Sequence, residues 1–196
     1  MNSEFETIWQ LARPFLNTRH NEDHSKISTR LAFKLMQREG GDEAIVIPAI
    51  MLHDVGWKAV PTELHLKAFG PKVTRPELNR LHEAQGAKIA QKILQKIRYN
   101  PDQARQIIKI IDGHDSRKTA ISINDMIVKD ADKLWRYTRS GFYIDVKRFG
   151  ESFPEAILRL ESNLDRWFFT KTAEEIAREK LMRRKDEISR GVKKNT

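Results

Sequence analysis

The run Ile45-Val46-Ile47-Pro48-Ala49-Ile50-Met51-Leu52 constrains the fold of this chain more than any other stretch. A helix built from it is apolar nearly all round and has no face to offer to water, so it belongs at the centre of whatever the chain forms. Asp42 stands just ahead of it, where a carboxylate can accept hydrogen bonds from the free amides of a first turn. Pro48 falls early enough to be accommodated with at most a kink. The run closes on His53-Asp54-Val55-Gly56, which sets two polar side chains at the end of a buried element, beside a glycine that lets the backbone turn away.

The rest of the chain reads as further helices around that one. Phe5, Ile8, Trp9, Ala12, Phe15 and Leu16 recur at three- and four-residue steps and describe a first helix ending near Asn17. Asn21 is suited to cap a second, which carries His24 in its first turn and stops at Gly40-Gly41. Residues 57–76, with Pro61, Gly70, Pro71 and Pro76, read as a long surface excursion holding a short helix near 63–68. Helical spacing returns over 77–98, which contains His82, and again after Pro101, where Ile107, Ile108, Ile110 and Ile111 are expected to be buried ahead of Gly113-His114. Ser122 can cap a helix with Ile123, Met126, Ile127, Ala131, Leu134 and Trp135 on one side, and two more helices are expected over 153–171 and 172–190. No strand, repeat or linker is evident. The expectation is an all-α, single-domain helical bundle over residues 1–196, a length sufficient for a substantial core.

Composition excludes several chemistries. The chain has no cysteine, which removes disulfides, thiolate metal sites and Cys nucleophiles, so any metal must be held by nitrogen and oxygen. No stretch approaches the ~18 apolar residues of a membrane span and no secretory leader is evident, so a cytoplasmic location without membrane attachment is expected. The formal charge of +9 raises the question of nucleic acid. Residues 171–196 hold nine Lys/Arg against five Asp/Glu, a net +4, which leaves +5 for the other 170 residues. In that tail Glu174, Glu175, Arg178 and Glu179 interleave signs as a solvated helix face does, which weighs against a nucleic-acid arm.

Four of the six histidines fall in an ordered series with two aspartates: His24, His53-Asp54, His82, His114 and Asp132. Each sits on or beside an expected helix, so a bundle can converge them on a metal. Imidazole and carboxylate together suit borderline divalent ions. Adjacent helical residues point about 100° apart, but at the end of a helix His53 and Asp54 can straddle an ion lying beyond the last turn. A lone His-Asp pair is a weak signal, and His114-Asp115 is a second one; the ordered set carries the weight. His20 and His65 stand outside the series and are expected to be solvated.

The ordered series, with the strings Ala49-Ile50-Met51-Leu52-His53-Asp54-Val55-Gly56 and Val128-Lys129-Asp130-Ala131-Asp132-Lys133-Leu134, resembles the HD-domain superfamily of metal-dependent phosphohydrolases over roughly residues 15–140. The strings around His82 and His114 are similar to those of stand-alone bacterial HD hydrolases. The resemblance implies an all-helical core with His24, His53, Asp54 and Asp132 as primary metal ligands. It implies that His82 and His114 either hold a second metal or serve the substrate phosphate, and Asp132 is favoured over Asp130 because Lys133-Leu134 follows it. The implied cofactor is a divalent ion (Mn, Fe, Ni, Zn or Mg), and no residue is assigned to an organic cofactor.

The expected activity is hydrolysis of a small phosphoester, a nucleotide foremost, by a metal-activated hydroxide. His82 or His114 is then available to protonate the leaving oxygen. Phosphate calls for cations, and Arg117 and Lys133 are the preferred contacts because each lies near a ligand in sequence; Lys58, Lys72, Arg75 and Arg136 are further candidates. Two alternatives come from other classes: a di-iron oxygenase, which the resemblance also embraces, and a non-catalytic nucleotide-binding module.

Overall fold

The computed structural model describes residues 3–194, with side chains through residue 190. Helix α1 spans Ser3–Leu16, α2 Asn21–Glu39 and α3 Glu43–Leu52. All residues from Ile45 to Leu52 are buried, and α3 packs against α1 and α2 and against two later helices, α6 (Pro101–Ile111) and α7 (Ile123–Leu134). Isolated helices of this length are marginal in water, so α3 exists because its neighbours enclose it. The Asp42 carboxylate accepts from the Ala44 amide at 2.9 Å and fixes its start.

Between α3 and α6 the chain makes a 3-10 turn at Val55–Ala59, a short α4 at His65–Ala68, and α5 at Glu77–Lys96. The turn lies directly on α5. Gly56 makes this approach: a Cβ there would stand 1.9 Å from the His82 carbonyl oxygen. Its φ is not in the left-handed region, so the glycine serves close packing of two backbones and not the reversal expected from its sequence position.

After α7 come α8 (Arg139–Phe149), α9 (Phe153–Glu161), α10 (Leu164–Trp167) and α11 (Lys171–Lys194). Among the described residues there is no strand, and no single helix is long and apolar enough to cross a membrane. A hydrophobic cluster runs from Phe5 and Ile8 through α3 to Ile176 and Leu181 on the inner face of α11.

Several expectations are corrected. The α8 helix was not anticipated, because its inward positions include only Phe142 as a large apolar side chain, beside Gly141 and the buried Asp145. The single helix expected over 153–171 is broken: a capping box at Ser152 and Glu155 starts α9, and extended backbone at Phe168 separates α10 from α11. Asn21 is not a cap; it is the buried first residue of α2, preceded by His20 at φ 63°. Ile123, expected on the buried side, is 39% exposed.

Asp130 joins α7 to the start of α11. Its buried carboxylate accepts from the Phe169 amide (2.8 Å), the Thr170 amide (2.9 Å) and the Thr170 hydroxyl (2.7 Å), while burial pushes its carboxyl up to about 6. Asp130→Ala leaves three donors without their acceptor and is expected to lower the unfolding free energy by ~2–3 kcal/mol. Urea unfolding checks this; an unchanged midpoint and slope would show that water replaces the carboxylate without cost.

Candidate metal centre

Five elements bring the ordered series together. His24 comes from the first turn of α2, His53 and Asp54 from the end of α3, His82 from α5, His114 from the loop after α6, and Asp132 from α7. All six are buried. Asp54, at φ −99° and ψ 4°, leaves the helical path of α3, so its carboxylate faces the same space as the His53 ring. On α7, Asp132 points to this space whereas Asp130 points to α11.

The donors form two groups that meet at Asp54. In the first, His24 Nε2 lies 2.9 Å from His53 Nε2, 3.2 Å from Asp132 Oδ1 and 3.5 Å from Asp54 Oδ2. In the second, His82 Nε2 lies 3.2 Å from His114 Nε2, and these two are 3.8 and 3.7 Å from Asp54 Oδ1. Asp115 Oδ2 closes the second group at 3.8 Å from His82 and 3.9 Å from His114. Sequence reasoning passed over Asp115, although the second His-Asp pair was visible.

The tautomers fit cation binding. His53 Nδ1 donates to the Ile50 carbonyl at 2.8 Å and His114 Nδ1 to the Ile111 carbonyl at 2.9 Å, so each neutral ring turns an Nε2 lone pair inward. Lone pairs facing one another at 2.9 and 3.2 Å need a proton or a cation among them. His24, His53 and Asp132, and likewise His53, Asp54 and His114, or His82, His114 and Asp115, are arranged so that each trio can hold a metal ion.

Charges within the cluster are strongly coupled. Burial alone would raise Asp54, but His53, His114, His24 and His82 surround it and hold its carboxyl well below the usual range. Burial also opposes ionisation of Asp132, and Lys133 with His24 and His53 outweighs it in the same direction. His114 is held up to about 9 by Asp54 and Asp115 against its burial, while burial and the neighbouring His114 push His82 down to about 4. Lys133 Nζ donates to Asp132 Oδ2 at 2.8 Å and to Asp115, tying the two groups together from outside.

Further side chains hold the ligands in place. The Trp57 indole N–H donates to Asp54 Oδ1 at 3.0 Å, and its ring stacks on His82 with centroids 4.1 Å apart. Buried Glu83 accepts from the Asp115 and Ser116 amides at 2.8 and 2.7 Å and from the Ser116 hydroxyl at 2.6 Å. Lys129 Nζ donates to the carbonyls of Gly113, His114 and Arg117 at 2.8, 2.7 and 3.0 Å. Together these clamp the His114-Asp115 loop. Glu83→Ala is expected to weaken ion binding at the second group ~10–100-fold while the first group keeps its affinity, as read by a metal titration. Equal weakening of both groups would mean that Glu83 supports the bundle rather than the loop.

A cavity opens above the cluster, with Arg19, Arg136 and Arg148 facing His24, Asp54 and Asp132. Arg136 and Arg148 both pair with Asp145, at 2.7 and 2.9 Å. The Arg19 guanidinium is sandwiched 4.3 Å from the Trp57 ring centre and 4.4 Å from that of Phe69. Among the described residues it has no ion pair, its buried Nε has no hydrogen-bond partner, and burial pulls its pKa down to about 10. Three guanidiniums therefore share one carboxylate outside the cluster.

Not every expected cation is here. Lys133 is at the centre, but Arg117 is not: it pairs with Asp125 at 3.0 Å and donates to the Lys109 carbonyl, on the far side of the loop. Nearness in sequence to His114 misplaced it. Lys58 donates to Asn17 and Arg75 pairs with Glu77, both at the surface, and Lys72 lines a separate groove. His20 is exposed as expected; His65 is buried, against expectation, with Nε2 bonded to the Val60 carbonyl and its ring against Trp57. Arg19 and Arg148 had no readable sequence signal, since they meet the centre only through the fold.

Residues 21–136 match the family model of the HD domain. The chain belongs to the HD domain family. All six residues of the ordered series lie within the matched span, whereas Arg19 and Arg148 lie outside it. This HD-domain protein is also similar in fold to a crystal structure described as a predicted HD superfamily hydrolase from an uncultured Thermotogales bacterium. The two share 20% sequence identity with a TM-score of 0.65, over 96% of this chain and 91% of the other. No curated protein matches the chain. The all-α fold expected for this family is the one observed.

Proposed function

We propose that this HD-domain protein is a metal-dependent phosphohydrolase acting on a small phosphoester, with nucleotides the foremost class. The observation that carries the proposal is the set of three guanidiniums, sharing only Asp145, in the same cavity as the His/Asp cluster. Cations facing a cation-binding cluster leave between them a place for an oxyanion.

In this reading His24, His53, Asp54 and Asp132 would hold one divalent ion, and His82, His114 and Asp115 would hold a second, with Asp54 lying between the two donor groups. Such ions neutralise phosphoryl charge and make water a better nucleophile near neutral pH. Donor sets this rich in imidazole favour manganese, iron, nickel or zinc over magnesium, which prefers carboxylate and water oxygen. Arg19, Arg136 and Arg148 bind the non-bridging oxygens and hold the phosphorus in line with the cluster. Lys133 keeps Asp132 and Asp115 oriented. The ester P–O bond breaks, the water oxygen replaces the leaving oxygen on phosphorus, and a proton from that water ends on the leaving group.

A second reading, a di-iron oxygenase, is favoured by the close approach of the second group to the first through Asp54. A screen of nucleotides and general phosphoesters with added Mn, Fe, Ni, Zn or Mg separates the two. Hydrolysis that a chelator abolishes is the expected result. Protein isolated with two irons, taking up oxygen and inert toward every phosphoester, would overturn it.

A further inference from the structure

We infer that the substrate carries a second anionic group, seated outside the metal cavity in a groove between α4 and α8. This inference deepens the phosphohydrolase reading and rests on it. The cavity above the cluster measures about 30 Å³, room for two or three water-sized positions at ~10–15 Å³ each and not for an organic body. Whatever is esterified to the phosphoryl group has to lie in an adjoining groove.

Two grooves adjoin. One, of about 490 Å³, shares Asp115 and Arg136 with the cavity, and each of its cations already has a carboxylate: Lys133 has Asp115, Arg136 has Asp145, and Arg159 has Glu151 at 2.8 Å. The other, of about 390 Å³, shares Arg19 and Arg148 with the cavity and adds Lys147, His20 and His65, with no carboxylate in its lining. Both volumes lie in the range of small-molecule sites.

The second groove is the one with charge left over. Among the described residues Arg19 has no ion pair, and exposed Lys147 has neither an ion pair nor a hydrogen bond. Arg148 shares its carboxylate with Arg136. The carboxylates acting on Arg19 are Asp54 and Asp115 of the cluster itself; Arg148 has Asp145, already doubly paired, and Asp23 lies 3.7 Å from His20. Leu66 and Ile144 supply an apolar strip between the cations, suited to the uncharged middle of a ligand. Arg19 and Arg148 line both spaces, so one phosphoryl group can sit at the cluster while a second anion meets Arg148 and Lys147.

The test compares a nucleoside 5′-monophosphate with the matching 3′,5′-bisphosphate on the metal-loaded protein. Wild type is expected to favour the bisphosphate at least ~10-fold in kcat/KM, and Lys147→Glu to bring that ratio to about one, with Lys147→Met between them. Lys147 is exposed, so neither variant should disturb folding. A wild-type ratio near one, or a ratio that Lys147→Glu leaves intact, overturns the inference even where hydrolysis is strong. Calorimetric binding of the bisphosphate gives the same comparison without turnover. Lys147-dependent binding with no hydrolysis would sink the phosphohydrolase reading and leave the groove standing.

Discussion

Asp54→Ala is expected to abolish ion binding at both donor groups and to reduce hydrolysis by at least ~1,000-fold. Asp54 is the one residue that faces all four imidazoles of the cluster, with its carboxylate oxygens 3.5 Å from His24 Nε2, 3.6 Å from His53, 3.8 Å from His82 and 3.7 Å from His114. Without it the second group keeps no carboxylate except Asp115, and the first keeps only Asp132. The four imidazoles then face one another with one of the cluster's three carboxylates removed. The Trp57 indole N–H also loses its acceptor. Metal content and hydrolysis, measured together on the purified variant, check this; a variant that retains both ions would show that the shared carboxylate is dispensable.

Gly56→Ala is expected to destabilise the protein by at least ~3 kcal/mol, although it adds one methyl group two residues beyond a ligand. The new Cβ would lie 1.9 Å from the His82 carbonyl oxygen, 2.4 Å from the Gly86 nitrogen and 2.8 Å from the Gly86 Cα. All three are backbone atoms of α5, so no side chain can swing aside and the helix itself has to move. His82 moves with it, and ion binding at the second group is expected to weaken along with stability. The reciprocal change is a control. A Cβ on Gly86 would meet the His53 carbonyl oxygen at 3.3 Å and the Gly56 nitrogen at 3.4 Å, contacts that shifts of a few tenths of an ångström relieve. Better helix propensity, worth ~1 kcal/mol, offsets that strain, so Gly86→Ala is expected to be near neutral. Equal unfolding midpoints for the two variants would mean that the turn and α5 are not in rigid contact.

Local pattern made α3 legible, because a run with no polar face has one place to go. The ordered histidines were legible for a different reason: each lies at a helix end or on an inward face that apolar periodicity also marks. The pair Asp130 and Asp132 illustrates the limit. Two residues apart on α7, they face opposite sides; a downstream Lys-Leu favoured Asp132, but only the packed fold shows Asp130 holding the start of α11. The arginines show where sequence falls silent. Arg117 is three residues from His114 and turns away to Asp125, whereas Arg148 is far from every ligand in sequence and reaches the cavity by hydrogen bonding to the Arg19 carbonyl at 2.8 Å. Helix α8, which carries Arg148, was missed because it is held by Asp145 and one phenylalanine rather than by an apolar stripe.

The most direct measurement is a manganese titration of the purified protein, with stoichiometry read by calorimetry and positions by anomalous scattering. Two ions per chain are expected, on either side of Asp54, falling to one in His82→Ala and to none in Asp54→Ala. An ion bound elsewhere, or a stoichiometry that Asp54→Ala leaves unchanged, would contradict the assignment of this cluster as the metal centre.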